Sequence, residues 1–196
     1  HVELASKTDV IVIAPATANT IARLALGMAD DVLTATVLAS DAPVIVAPAM
    51  DGNMYKSDGL LSNIATLSER RVQIVGPELG RLASGMTGKG RMTEPRQLMG
   101  HIMARLGNKG DYLGQKVIVT AGGTEEAIDP VRVITNRSSG KMGYALAEAA
   151  RDRGAVVTLV TAPTSLEDPP GIRTIHVRTA NDMEKEVISC ARQGDL

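Results

Sequence analysis

The 196-residue sequence is almost without aromatic residues: it has three Tyr, no Phe and no Trp. Base stacking on aromatic platforms therefore lacks its material. A net charge of -1 provides no basic surface for nucleic acid. Cys190 is the single cysteine. It excludes an internal disulfide framework and a cysteine zinc cluster, and fits a reducing, cytoplasmic setting. No apolar run approaches the ~20 residues of a membrane span. The longest runs, Val10–Ala14 and Val44–Met50, are strand-sized. The chain opens on His1 rather than Met, shows no signal-peptide pattern, and stops at Gln193–Leu196 directly after a helical pattern. It is expected to be a piece of a longer protein.

What is present is a globular composition, with 44% hydrophobic and 22% charged residues. The length allows one or two domains. Asp9–Ala14 and Pro43–Ala47 are continuous apolar runs, the pattern of strands buried on both faces. Each is expected to end at a proline, Pro15 and Pro48. Helical spacing follows over Thr17–Met28, Asp30–Ser40 and Ser57–Arg70, with a short strand at Val72–Val75. Between Gly76 and Arg96 no period holds and five glycines appear, which predicts a long open loop. Pro95 then opens a helix to Leu106. Residues 107–115, with three glycines, read as a linker between a domain at 1–106 and a second at 116–196. After the linker, strands are expected at Lys116–Ala121, Ala155–Val160 and Arg173–Val177. Helices are expected at Lys141–Arg153, closed by Gly154, and at Ala180–Arg192. Strand–helix alternation on both sides predicts two parallel-sheet α/β units.

In open α/β sheets ligands bind at the carboxyl ends of strands. Ala14–Thr20 leaves such an end with small residues ahead of a helix, whose free N–H groups favour an anion. An ordinary capped helix is the plain alternative. Ala47–Tyr55 places Met50, Met54 and Tyr55 beside Asp51 and Asn53, as at the lip of a pocket, although methionine also fills cores. Gly80–Met92 matches neither a P-loop nor G-x-G-x-x-G; it reads as a lid or as plain surface loop. In the second unit, Thr120–Thr124 leaves a strand, the usual place for a nucleotide. Ser138-Ser139-Gly140-Lys141 opens a helix, where dipole, amides and ammonium favour an anion. The glycine a Walker A motif needs is Thr135. Gly140 is expected at a surface turn. His101 and His176 read as surface residues, and Cys190 as a packed thiol.

Together these segments resemble the bifunctional coenzyme A biosynthesis flavoproteins, in which a phosphopantothenoylcysteine decarboxylase is fused to a phosphopantothenate–cysteine ligase. The resemblance runs over essentially the whole chain. His1–Ala5 is similar to the family's catalytic-histidine segment. Pro15-Ala16-Thr17-Ala18-Asn19-Thr20 is similar to its flavin-binding Pro-Ala-Ser-Ala-Asn-Thr motif, continued by Gly27–Asp30. Pro48–Tyr55 resembles its substrate-binding Pro-Ala-Met-Asn motif, and Gly80–Met92 its substrate clamp. Asp129–Arg132 and Ser138–Gly143 resemble the ligase signature.

The resemblance implies a flavodoxin/Rossmann-like parallel-sheet flavin domain, incomplete at its N-terminus. The start of a second Rossmann-like α/β ligase domain follows it. It implies FMN on Pro15–Thr20, with His1 as base. Substrate would be held by Asp51, Met54, Gly85, Arg91 and Met92. The cysteine moiety would be oxidised to a thioaldehyde, from which carbon dioxide leaves easily. In the ligase half it implies CTP with Mg²⁺, forming an acyl-cytidylate that cysteine attacks. The residues concerned there are Gly122, Gly123, Arg132, Asn136, Ser138, Ser139, Gly140, Lys141 and Gly143. The partners implied are small molecules and further copies of the chain, with trimeric flavin domains and dimeric ligase domains. No nucleic acid or membrane is implied.

Two positions depart from the pattern. Asp51 replaces the family's asparagine, and Ser84 replaces its clamp cysteine, the proton donor of the last step. Asp51 can hydrogen-bond a substrate carboxylate only if one of the two carboxyls is protonated. Ser84 is a far weaker acid than a thiol. Two alternatives follow: another flavin-dependent cysteine decarboxylase, which the fused second unit opposes, and a catalytically silent FMN-binding relative, which His1 and the Ser-Ser-Gly-Lys signature oppose.

Overall fold

In the computed structural model, which describes residues 1–193, chain contacts divide the polypeptide into His1–Ile102 and Met103–Leu196. In the first unit, β1 (Ile11–Ala16), β2 (Val44–Pro48) and β3 (Gln73–Ile74) form a parallel sheet in that order. The helices are α1 (Val2–Lys7), α2 (Ala18–Leu26), α3 (Val32–Ala39), α4 (Gly52–Tyr55), α5 (Asp58–Glu69) and α6, Pro95–Leu106, most of which lies in this unit. Both faces of the sheet are covered. Ile11, Ile13, Ile21, Leu24, Val46, Leu60 and Leu67 pack on one side, and Ile45, Ala47, Val75 and Leu98 on the other. Ile21, Ile45 and Val46 are fully buried, and each such side chain contributes roughly 1.5–3 kcal/mol. Hence the strands read as unbroken apolar runs.

Helix starts follow local chemistry. Thr17 caps α2 by accepting from Thr20 N at 3.2 Å. Asp31 and Thr34 form a reciprocal capping box on α3. Ser57 caps α5.

Three expectations are corrected here. β1 and β2 do not stop before their prolines: β1 runs through Pro15 to Ala16 and β2 includes Pro48. Their pairing shifts between Ile13 and Ala16, which lets the strand pass the proline. The segment from Gly76 to Arg96 is not an open loop. Residues Glu78–Arg81 (β4) and Thr87–Arg91 (β5) form an antiparallel hairpin. The short helices α1 and α4 were not expected.

In the second unit, β6 (Lys116–Ala121), β9 (Val156–Thr161) and β10 (Arg173–His176) form a parallel sheet in the order β10-β9-β6. A small hairpin, β7 (Glu125–Ala127) with β8 (Val133–Thr135), precedes α7 (Lys141–Asp152); α8 spans Ala180–Gln193. Tyr144, Ala147 and Ala150 of α7 pack on Val157 and Leu159. Arg151, only 5% exposed, pairs with Asp152 and donates to the Pro170 carbonyl at 2.6 Å.

Residues 107–115 are folded rather than open. A 3₁₀ turn covers Gly107–Lys109, and Tyr112 N donates to Arg153 O at 2.9 Å. The Arg153 guanidinium pairs with Asp111 and lies 4.0 Å from the Tyr112 ring centroid. A Cβ on Gly110 would lie 2.0 Å from Arg153 O. Gly107 and Gly110 serve close approach, not flexibility.

Candidate functional site

The β1–α2 turn and the exit from β2 leave their sheet side by side, because Ala49 N donates to Ala16 O at 3.0 Å. On the turn, Pro15, Thr17 and Asn19 are exposed, Ala18 and Thr20 are half-buried, and Ala16 is fully buried. The Thr17 and Thr20 hydroxyls are 3.0 Å apart. The segment thus presents two hydroxyls, one amide and helix N–H groups, with no carboxylate.

Beyond β2, Asp51 caps α4 by accepting from Asn53 N at 2.9 Å with Oδ1. Its other oxygen, Oδ2, accepts from the Ser84 hydroxyl at 2.8 Å. The Asn53 amide first, and the Ser84 hydroxyl second, hold the Asp51 carboxyl below its ordinary value of 3.8. Thus Asp51 and Ser84, 33 residues apart in sequence, are in direct contact.

The hairpin makes this contact possible. Met50 N donates to Gly90 O at 3.0 Å, which fixes β5 to the segment after β2. Leu82 is buried near the α-carbons of Gly52, Gly88 and Gly90. The tip is closed by Leu82 N to Met86 O at 2.8 Å and carries Ser84 and Gly85, the latter at φ +83°. Lys89 lies 5.3 Å from the Tyr55 ring centroid. Arg91 is ion-paired with Glu94. Met54 is exposed and Met92 half-buried.

His1 lies at the start of α1. Its carbonyl accepts from Ala5 N at 2.9 Å, and its side chain makes no cap. The partners shown for Asp51 are Asn53 and Ser84, so the structure does not join His1 to that pair by a hydrogen bond. Of the other histidines, His176 pairs with Asp168 at 3.0 Å at the surface. His101, half-buried, lies 3.0 Å from the Gln73 amide.

In the second unit the predicted residues fall into two groups. Gly122 (φ +81°), Gly140 (φ +73°) and Gly143 meet where β6 reaches the start of α7. A Cβ on Gly143 would lie 2.6 Å from Ala121 Cβ; one on Gly122 would lie 2.8 Å from Ala162 O. Gly140 is buried, not at an open surface turn, and a Cβ there would lie 2.8 Å from Thr164 Cγ2. It caps α7 without a side-chain hydrogen bond, so the first N–H groups of α7 stay available. Lys141, Ser138, Ser139 and Asn136 are exposed around it, and Gly123 lies against the Asn136 carbonyl. Arg132 is turned back onto Asp129, 2.6 Å away, with Asp129 also accepting from Val131 N and Arg132 N.

Comparison with known proteins adds the family. A model described as Flavoprotein matches residues 1–107. The chain belongs to the Flavoprotein family. Residues 112–196 of this flavoprotein match a second model, described as the DNA/pantothenate metabolism flavoprotein C-terminal domain. Two similar curated proteins are both called coenzyme A biosynthesis bifunctional protein CoaBC. The one from Vibrio vulnificus is 50% identical over 196 residues, covering 100% of this chain and 49% of the relative. The one from Escherichia coli is 43% identical over 196 residues, covering 48% of the relative. The chain spans about half the length of the curated relatives it matches. A solved PPC decarboxylase mutant, complexed with pantothenoylaminoethenethiol, superposes with a TM-score of 0.51 at 38% identity, covering 52% of this chain and 57% of the other. The flavodoxin-like parallel-sheet class expected from the sequence is the fold of this flavoprotein.

Leu82 and Lys89 were not singled out within Gly80–Met92, whereas Tyr55 was. Sequence spacing carries no signal for Leu82 and Lys89, since both act through the packing of the hairpin. Among the described residues, no three His, Cys, Asp or Glu side chains cluster to hold a metal ion, and no helix is long and apolar enough to cross a membrane.

Proposed function

We propose that this flavoprotein binds FMN and decarboxylates phosphopantothenoylcysteine in coenzyme A biosynthesis, in the cytoplasm. Its second unit is, on the same reading, the opening part of a CTP-dependent phosphopantothenate–cysteine ligase. The observation that carries the first claim is the meeting of Asp51 and Ser84 under a docked hairpin, within the residues matched by the Flavoprotein model.

The residues of the β1–α2 turn fit a flavin. Thr17, Asn19 and Thr20 present polar groups to its heteroatoms, and Pro15, Ala16 and Ala18 keep the surface low enough for a flat ring. No carboxylate on the turn opposes the phosphate, and the N–H groups of α2 favour it. Bound FMN supplies reversible two-electron chemistry to the thiol carbon of the substrate. The chain's own residues do the positioning. Asp51 and Ser84 receive the carboxylate that is to be lost. The hairpin, anchored at Met50–Gly90, holds Ser84 and Gly85 over that position and limits water there. Met54, Arg91 and Met92 border the same segment. His1 is assigned the role of base.

For the ligase unit, the free N-terminus of α7, Gly122, Gly123 and Lys141 suit a triphosphate. Arg132, Asn136, Ser138 and Ser139 would face the acyl group, and Gly143 sets the helix against β6. Among the described residues no three His, Cys, Asp or Glu side chains cluster to hold Mg²⁺. Exposed Leu26 (72%), Val32 (66%) and Leu38 (64%) of the first unit support assembly with further copies of the chain.

The test is the cofactor together with the base. Purified protein should show a flavin spectrum, and denaturation should release FMN identified by mass. His1→Asn should keep FMN and lower decarboxylation by about 10²–10⁴-fold. A colourless protein that cannot be loaded with FMN would refute the reading; an undiminished rate in His1→Asn would remove His1 from it.

A further inference from the structure

We infer that Leu82 is the positioning residue of the hairpin: its side chain fills a glycine-lined socket and so latches Ser84 in place beside Asp51. The inference rests on the decarboxylase reading and deepens it. Along the tip, Arg81 and residues 83–87 are all exposed, whereas Leu82 is only 8% exposed. The other large apolar side chains of the hairpin, Leu79 and Met86, face solvent. Burial is therefore specific to one side chain and is not a collapse of the whole hairpin.

The socket is made of backbone. A Cβ on Gly52 would lie 3.5 Å from Leu82 Cδ1, and one on Gly88 would lie 3.4 Å from it. A Cβ on Gly90 would lie 3.3 Å from Leu82 Cδ2. Both methyl groups thus rest against glycine α-carbons. Gly52 opens α4 directly after Asp51, and Gly88 and Gly90 belong to β5. One side chain therefore ties the tip to α4 and to β5 together.

The tie reaches Ser84 through a closed turn. Leu82 N donates to Met86 O at 2.8 Å, and Gly85 N donates to Leu82 O at 2.9 Å. Both backbone groups of Leu82 are engaged inside the turn that carries Ser84, and its side chain is engaged in the socket. The other ties are weaker or more distant. The bond from Ser84 Oγ to Asp51 Oδ2 lies at the surface, where water competes with it. The Lys89 side chain is exposed, so its contact with the Tyr55 ring adds little. The bond from Met50 N to Gly90 O seats β5 but not the tip. Water does not compete with apolar burial, so the place of Ser84 depends on Leu82.

The experiment uses FMN-loaded protein carrying Leu82→Ala or Leu82→Met, and reads the tip and the chemistry separately. Amide exchange reads the tip. In Leu82→Ala the Gly85 amide should exchange about 10- to 100-fold faster, the ratio that corresponds to one buried Leu side chain, while the amides of β1 and β2 keep the parent rates. Leu82→Met keeps the volume and should restore the parent rate. Leu82→Val should fall between the two, and serves the same test should the alanine variant not fold. Carbon dioxide release from phosphopantothenoylcysteine reads the chemistry. Leu82→Ala should lower kcat by up to the same factor, and Leu82→Met should restore it. Because Leu82 acts through Ser84, Leu82→Ala should lower kcat no further in a Ser84→Ala background. An unchanged Gly85 exchange rate in Leu82→Ala would overturn the latch. Faster exchange with an unchanged kcat, or losses that add in the double variant, would overturn the positioning role and leave the decarboxylase reading standing. No carbon dioxide release by the parent protein would refute the decarboxylase reading and the positioning role together.

Discussion

Gly90 approaches Met50 so closely that a Cβ on it would lie 2.2 Å from the Met50 carbonyl oxygen. The same pair is joined by the 3.0 Å bond from Met50 N to Gly90 O. The hairpin that delivers Ser84 is thus seated by backbone, and only glycine permits the seat.

Gly90→Ala should therefore unseat the hairpin. The expected cost is about 1–3 kcal/mol, typical of overpacking, with faster proteolysis between Leu82 and Met86. A variant that melts and digests like the parent would show that the contact is not needed.

In the second unit, Gly140→Val should destabilise rather than merely weaken ligand binding. A β-branched residue at φ +73° is strained, and Thr164 leaves no room. Gly143→Ala should also lower the melting temperature, since its Cβ would meet Ala121. Gly59→Ala is the counterexample: Gly59 lies in α5 with open space around it, and the change should stabilise by about 0.5–1 kcal/mol. Thermal melts of the three variants decide this; equal shifts for Gly59 and Gly143 would contradict it.

Asp111 is lowered first by its hydrogen bond from Arg153, and Asp129 first by the Val131 amide. A folded value below the unfolded one stabilises above the unfolded value and is lost as pH falls through the folded value. Stability should thus decline as pH drops below 3.8, the ordinary value of these groups. Asp111→Asn should flatten part of that decline and lower stability at neutral pH. Melting temperatures read against pH would contradict the account if the parent and the variant ran parallel.

Asn19 is exposed on α2 and makes none of the hydrogen bonds that cap the helix, which belong to Thr17 and Thr20. Asn19→Ala should weaken FMN binding and leave the apoprotein's unfolding free energy within about 0.5 kcal/mol of the parent. Undiminished FMN affinity would remove Asn19 from the flavin site.

The buried strands of the first unit were legible because both faces of their sheet are covered, so Ile11–Ile13 and Val44–Ala47 read as unbroken apolar runs; Val157, Leu159 and Val160 of β9 are likewise buried. The turn at Pro15–Thr20 was legible from its small residues and its cap. The hairpin was not. Gly80, Gly88 and Gly90 erase the alternation that marks a strand, and its anchor is Met50, 40 residues before Gly90. Residues 107–115 carry the same ambiguity: Gly107 and Gly110 lie against carbonyls of Arg151, Asp152 and Arg153. Glycine signals freedom or closeness, and sequence alone does not say which. Nor could spacing show that Asp51 and Ser84 touch.

The most direct measurement is carbon dioxide release from phosphopantothenoylcysteine labelled at the cysteine carboxyl, with FMN-loaded protein. The account predicts one labelled carbon dioxide for each phosphopantetheine formed, abolished when FMN is removed and restored when it is returned. Retention of the label in unchanged substrate, by protein that holds FMN, would contradict it.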